Sequence, residues 1–217
     1  MSTFDATVKF FQDCGFFIYP SLLIMASGLS IAIERFIVLN RARAENRRMW
    51  DRILPMLQGG KFQQVAGVTA KSDTAIGKIV HNGLNRLQSA RRREDIDAAM
   101  EEGMMEIVPS LEKRTHYIAT FANVITLVGL LGTITGLIHA FTAVAQVNPA
   151  EKAEMLSASI SIAMNNTAFA LAVAIPFLLI HSFLSARASE IVDSLEAAKI
   201  SFLNLAQRHT HEAKEAH

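Results

Sequence analysis

Three stretches of the chain are apolar without a charged interruption, and the segments around them alternate at helical spacing. Residues 16–33 contain no Asp, Glu, Lys or Arg. With the Glu34-Arg35 pair and Phe36 to Leu39 they predict a helix over 16–39, long enough to cross a ~30 Å hydrocarbon core with its charged pair near one face. Residues 115–150 and 155–186 are likewise free of those four residue types and predict spans over 118–147 and 155–186. The linker over 148–154, Asn148-Pro149-Ala150-Glu151-Lys152-Ala153-Glu154, permits only a tight turn between antiparallel helices.

Outside these spans the apolar residues recur at three and four. Trp50, Ile53, Leu54 and Leu57, then Ile76, Ile79, Val80, Leu84 and Leu87, predict amphipathic helices, with breaks at Gly59-Gly60 and over 71–74. Ile96, Met100, Met104, Ile107 and Leu111 carry the pattern up to the second span and predict that it continues outside the membrane, kinked near Pro109 where a backbone donor is lost. Ile191, Leu195, Ala198 and Phe202 predict the same continuation after the third span. The expected fold is an all-α integral membrane protein with three transmembrane helices, spans two and three being extended into long cytoplasmic helices.

Composition agrees with a chain that is part membrane and part aqueous: 51% hydrophobic residues are too many for an ordinary soluble domain, and 19% charged residues too many for a bare membrane bundle. Lys and Arg set the expected orientation. Fourteen lie within 40–114 and four beyond 186, against Lys9 before the first span and Lys152 in the short linker. The region 40–117 and the tail 187–217 are therefore expected in the cytoplasm, and residues 1–15 and the turn 148–154 in the periplasm. Asp5, Lys9 and Asp13, followed by an apolar stretch too long for a signal peptide, argue that the first helix is retained.

Several function classes find no support. A net charge of +1, and an Arg91-Arg92-Arg93 run followed at once by Glu94, Asp95 and Asp97, read as a solvated helix face or membrane anchor, so no nucleic acid partner is expected. The single cysteine, Cys14, excludes an intrachain disulfide and multi-cysteine zinc sites, and reads as a small apolar side chain. No nucleophile elbow, phosphate loop or His-Glu-x-x-His helix occurs, so no enzyme, cofactor or metal is expected.

Candidate chemistry lies in the second and third spans. Thr126, Gly129, Thr133, Gly136 and Ala140 fall on one helical stripe, and Ala163, Thr167, Ala170 and Ala174 on another. Small residues let helices approach closely, and a Thr can simply bond back to the preceding turn; alternatively the two Thr hydroxyls line one polar path. Asn165 and Asn166 are adjacent amides deep in a span and point to different faces, so at least one must meet protein or water. His139 shares an edge with Gly132, Thr135, Thr142 and Gln146, either as a protein-facing neutral side chain or as a proton relay. Glu34-Arg35 is explained by snorkelling or mutual pairing.

The string from Gly129 through Gly132-Thr133, Gly136 and His139-Ala140-Phe141, followed by Ile162-Ala163, Thr167 and Ala174-Ile175-Pro176, resembles the MotA/TolQ/ExbB proton-channel family, its TolQ/ExbB branch most of all. Ile31-Ala32-Ile33-Glu34-Arg35, Leu111-Glu112-Lys113-Arg114 and Asn123-Val124 resemble that branch too, so the likeness covers nearly the whole chain. It implies a homopentamer of three-span subunits in the bacterial inner membrane, around a dimer of an ExbD/TolR-like single-span partner with a membrane Asp. The assembly would convert the flow of H⁺, or alternatively Na⁺, into work on the envelope through a TonB/TolA-like protein.

Residue by residue, the resemblance makes Thr133 and Thr167 the ion pathway, with Thr126, His139, Asn165 and Asn166 as further pore-lining or partner-contacting candidates. Gly129, Gly132, Gly136, Ala163, Ala170 and Ala174 are expected to serve helix packing. Two positions depart from the branch: Ile162 stands where many members have a Glu, and Thr126 where they have a Pro. With no acid in spans two and three, the titrating carboxylate is expected on the partner. A non-conducting membrane scaffold is the rival reading, and a flagellar-type stator fits less well because that branch usually has four spans.

Overall fold

The computed structural model describes residues 16–87, 92–145, 148 and 150–215. Cys14, Arg91, Gln146 and the rest of residues 1–15 lie outside these. All regular structure among the described residues is helical: α1 (Ile18–Gln58), α2 (Phe62–Thr69), α3 (Ala75–Leu87), α4 (Arg93–Glu112), α5 (Thr115–Val144) and α6 (Lys152–Glu215). Three helical stretches are long and apolar enough to cross a membrane, within α1, within α4 and α5 taken together, and within α6. At 1.5 Å per residue α1 runs about 60 Å and α6 about 95 Å, two to three times a hydrocarbon core, so each continues well beyond its apolar stretch.

The breaks follow local chemistry. Gly60 adopts φ 68°, a conformation open to glycine, and ends the α1 segment where the Gly59-Gly60 pair predicts a stop. Thr74 precedes α3 and its hydroxyl oxygen accepts from the Gly77 N–H at 3.2 Å, a standard N-terminal cap. Helix α4 runs on past Pro109 to Glu112. The interruption falls instead at Arg114, in the left-handed region at φ 67°. That conformation is costly for a residue with a Cβ. It is held by a forked ion pair, in which Arg114 Nη1 donates to both carboxylate oxygens of Glu34 at 3.1 and 3.2 Å.

The chain divides into two compact units, and α1 and α6 contribute a segment to each. The first unit, residues 1–34 with 114–183, has an interior in which small side chains, Ala122, Ala140, Ala163, Ala170 and Ala174, pack beside Ile118, Ile125 and Phe177. Many of its large apolar residues, among them Leu127, Ile134, Ile138, Phe141, Met164 and Leu179, are exposed, as suits surroundings of hydrocarbon.

The second unit, residues 35–113 with 184–217, buries large ones: Leu39, Ile53, Leu57, Ile79, Met100, Leu195 and Phe202. Polar ties surround that core. Asn46 Oδ1 accepts the Ile76 N–H at 3.1 Å, and Arg93 donates to Gln207 Oε1 and Asn204 Oδ1 at 2.8 and 3.0 Å. Lys199 reaches Glu101 at 2.5 Å and Asp97 at 3.1 Å. Burial depresses the basicity of the Lys199 ammonium, but the hydrogen bonds and charges of Glu101 and Asp97 outweigh it, so its pKa lies above the ordinary lysine value. Arg35 is buried, 6% exposed, so snorkelling into open water does not describe it.

Candidate functional site

Within the first unit, α5 and the neighbouring part of α6 meet along the small stripes. A Cβ placed on Gly129 would collide with the Cβ of Ala170, and one on Gly136 would lie 2.8 Å from the Cβ of Ala163. These glycines are needed because nothing larger lets the two backbones approach so closely. A Cβ at Gly132 would strike the amide nitrogen of Asn166, so this glycine makes room for a buried polar side chain. Further along α6, Phe177 fills the space left by Gly28 of α1.

The seam brings Thr133 and Thr167 into direct hydroxyl contact. Thr133 Oγ1 also lies 3.1 Å from the Gly129 carbonyl and 3.2 Å from that of Ala163, and Thr167 Oγ1 lies 3.2 Å from the Gly129 carbonyl across the seam. Two hydroxyl protons thus share several acceptors. Such a cluster can hand a hydrogen bond from one partner to the next without separating charge. Thr126 stays outside it, its hydroxyl donating to Ala122 O at 2.9 Å in the preceding turn. Thr135 and Thr142 likewise bond back, to Leu131 and Ile138 at 2.8 Å.

The adjacent amides separate in environment: Asn166 is buried and Asn165 only half-buried. Asn166 lines a cavity of about 440 Å³ together with Thr135, His139, Ser159 and the aromatic pair Phe16-Phe17. His139 is exposed at this cavity, and neither Thr133 nor Thr167 lines it. Spacing points to the hydroxyl stripes and the two amides, but Ser159 and the aromatic wall belong to no pattern and emerge only from packing. No group of three or more metal-ligating side chains occurs among the described residues.

Three apolar helical stretches and a close-packed seam that carries hydroxyls and an amide but no carboxylate or ammonium define a polytopic helical membrane protein. Its chain belongs to the MotA/TolQ/ExbB proton channel family, whose profile matches residues 71–197. It is 37% identical over 171 residues to the Tol-Pal system protein TolQ of Haemophilus influenzae, covering 75% of each chain. To a putative biopolymer transport protein ExbB homolog of Methanothermobacter thermautotrophicus it is 23% identical over 198 residues, 90% of this chain and 69% of that one. Membership makes this chain a membrane subunit of a proton-channel family rather than of an enzyme family.

Proposed function

We propose that this chain is the channel-forming subunit of an ion-driven motor in the inner membrane, which with a single-span ExbD/TolR-like partner turns the proton motive force into mechanical work on the cell envelope. Five copies surround two copies of the partner, whose membrane Asp takes up and releases the proton. Residues 1–15 and the α5–α6 connection face the periplasm; the polar unit faces the cytoplasm and a TonB/TolA-like protein receives the motion.

The observation that carries this reading is the meeting of Thr133 and Thr167 in a seam without any Asp, Glu, Lys or Arg. A carboxylate held there would cost several kcal/mol to desolvate, whereas hydroxyls accept and donate at little cost. Thr133 and Thr167 then form the wall along which the partner's acid is protonated and discharged. Each elementary charge crossing 100 mV releases about 2.3 kcal/mol, so a few ions per step exceed thermal energy.

The test is proton flux in liposomes holding the complex of this chain and its partner. Thr133→Val and Thr167→Val keep the shape and remove the hydroxyl, and each is expected to lower flux at least tenfold. Wild-type flux in both would overturn the hydroxyl path, and no flux from the unaltered complex would favour a non-conducting scaffold. Repeating the assay with Na⁺ in place of a proton gradient separates the two ions, because Thr and Asn oxygens also suit Na⁺.

A further inference from the structure

The side-chain oxygen of Asn166 has no hydrogen-bond partner among the described residues, although the residue is only 3% exposed. A buried carbonyl of this kind left unsatisfied costs about 1–3 kcal/mol. The polar groups beside it are Thr135, whose hydroxyl donates to Leu131 O and so keeps lone pairs free to accept, together with Ser159 and His139. They line the same cavity of about 440 Å³, far larger than the ~30 Å³ that one water occupies in the liquid. The space, though mostly apolar in lining, is roomy and carries several polar groups, the two conditions for holding water, whereas purely apolar cavities stay dry.

The position of this space matters more than its size. On α5 it is lined by Gly132, and the next residue is Thr133; on α6 it is lined by Asn166, and the next residue is Thr167. Gly136 and Ala163, members of the two stripes that carry Thr133 and Thr167, also line it, so the cavity begins one helical turn from the hydroxyl pair, walled by Phe16-Phe17. His139 and Ser159 place it toward the α5–α6 connection, near the end of α5 and the start of α6.

From this we infer that the cavity is a hydrated antechamber inside the single subunit, through which water-borne protons reach the Thr133–Thr167 seam from the side of the α5–α6 connection. The Asn166 amide is part of its wall, and Gly132 is small so that the amide can sit there. The inference rests on the proposed channel function for its role, but not for the presence of water.

Cys14 is the chain's one cysteine, so Cys14→Ser provides a background without thiols. Ser159→Cys and Thr135→Cys then report on the cavity, and Ile138→Cys reports on an exposed apolar position near the depth of His139. A charged methanethiosulfonate reagent, which reacts with thiolate and needs water to form it, is added from the side of the α5–α6 connection to membranes holding the whole complex. The two cavity positions are expected to react at least tenfold faster than Ile138→Cys, and proton flux is expected to fall severalfold after Ser159→Cys is modified but not after Ile138→Cys is treated.

Equal reactivity at all three positions would overturn the water-filled cavity, whether the cause is a dry cavity or a partner helix seated in it. Fast reaction with unchanged flux would overturn its role as an entrance. The Thr133→Val and Thr167→Val fluxes are read separately. If they collapse while the cavity proves inert, this inference fails and the channel reading stands; if they stay at the wild-type level while the Ser159→Cys adduct blocks flux, the entrance stands without the hydroxyl path.

Discussion

Each of the two units of this chain coheres internally with a different emphasis. In the unit of residues 35–113 and 184–217, cohesion comes from what is buried: Phe202, Leu195, Met100 and Ile53 exclude water from a common interior. In the unit of residues 1–34 and 114–183, the seam between α5 and α6 depends on what is missing, since Gly129, Gly132 and Gly136 lack the atoms that would keep it apart. The contrast has a physical origin. Burying a large apolar side chain removes it from water, a gain that disappears where the alternative surroundings are lipid tails. What remains there is close contact and hydrogen bonding, both of which favour small residues and hydroxyls. The same conditions let Thr133 and Thr167 touch.

If that contrast is right, removing bulk from one unit and adding it to the other should both be costly. The largest effect is expected for Phe202→Ala, which empties a fully buried position and should cost about 3–5 kcal/mol in thermal unfolding of the detergent-solubilised protein. Next comes Gly129→Val, where the new side chain meets Ala170; a loss of about 1–3 kcal/mol is expected. An unchanged melting curve for Gly129→Val would show that the seam is looser than described.

A smaller effect, about 1 kcal/mol, is expected for Lys199→Met, because Lys199 is 15% exposed while its carboxylate partners are nearly half exposed and partly screened. Its pKa is raised in the folded chain, so this contribution is present in full below the ordinary lysine value of about 10.5 and fades as pH climbs through the raised one. The stability difference between Lys199→Met and the parent should therefore hold steady up to about pH 10 and shrink as the pH is raised further; a difference that grows would have the wrong sign. The smallest effect is a gain: Gly67 is exposed inside α2 with open space around its Cα, so Gly67→Ala should stabilise by about 0.5–1 kcal/mol. The same change at Gly83, where a Cβ would come within 2.8 Å of Met100, should not.

Much of this was legible in the order of residues alone, and for reasons that differ by level. Three charge-free stretches need a membrane or a large core, and a chain with so many charges elsewhere has little room for the latter, so an all-α membrane fold follows from composition and length. The Gly60 break follows because glycine readily takes a positive φ. The stripes around Thr133 and Thr167 follow from helical period, which is a local property.

Only the tertiary arrangement decided the rest, because it depends on which faces meet. Period places Thr126 and Thr133 on one stripe, yet Thr133 alone reaches across the seam while Thr126 bonds to its own turn. Two adjacent Asn residues are equivalent in sequence, and packing against Gly132 selects Asn166 for burial. Pro109 carries the stronger local signal for a break, but the chain turns at Arg114, where Glu34 from a distant helix holds a left-handed backbone in place. Local chemistry proposes such positions; the energy that chooses among them comes from partners far away in the chain.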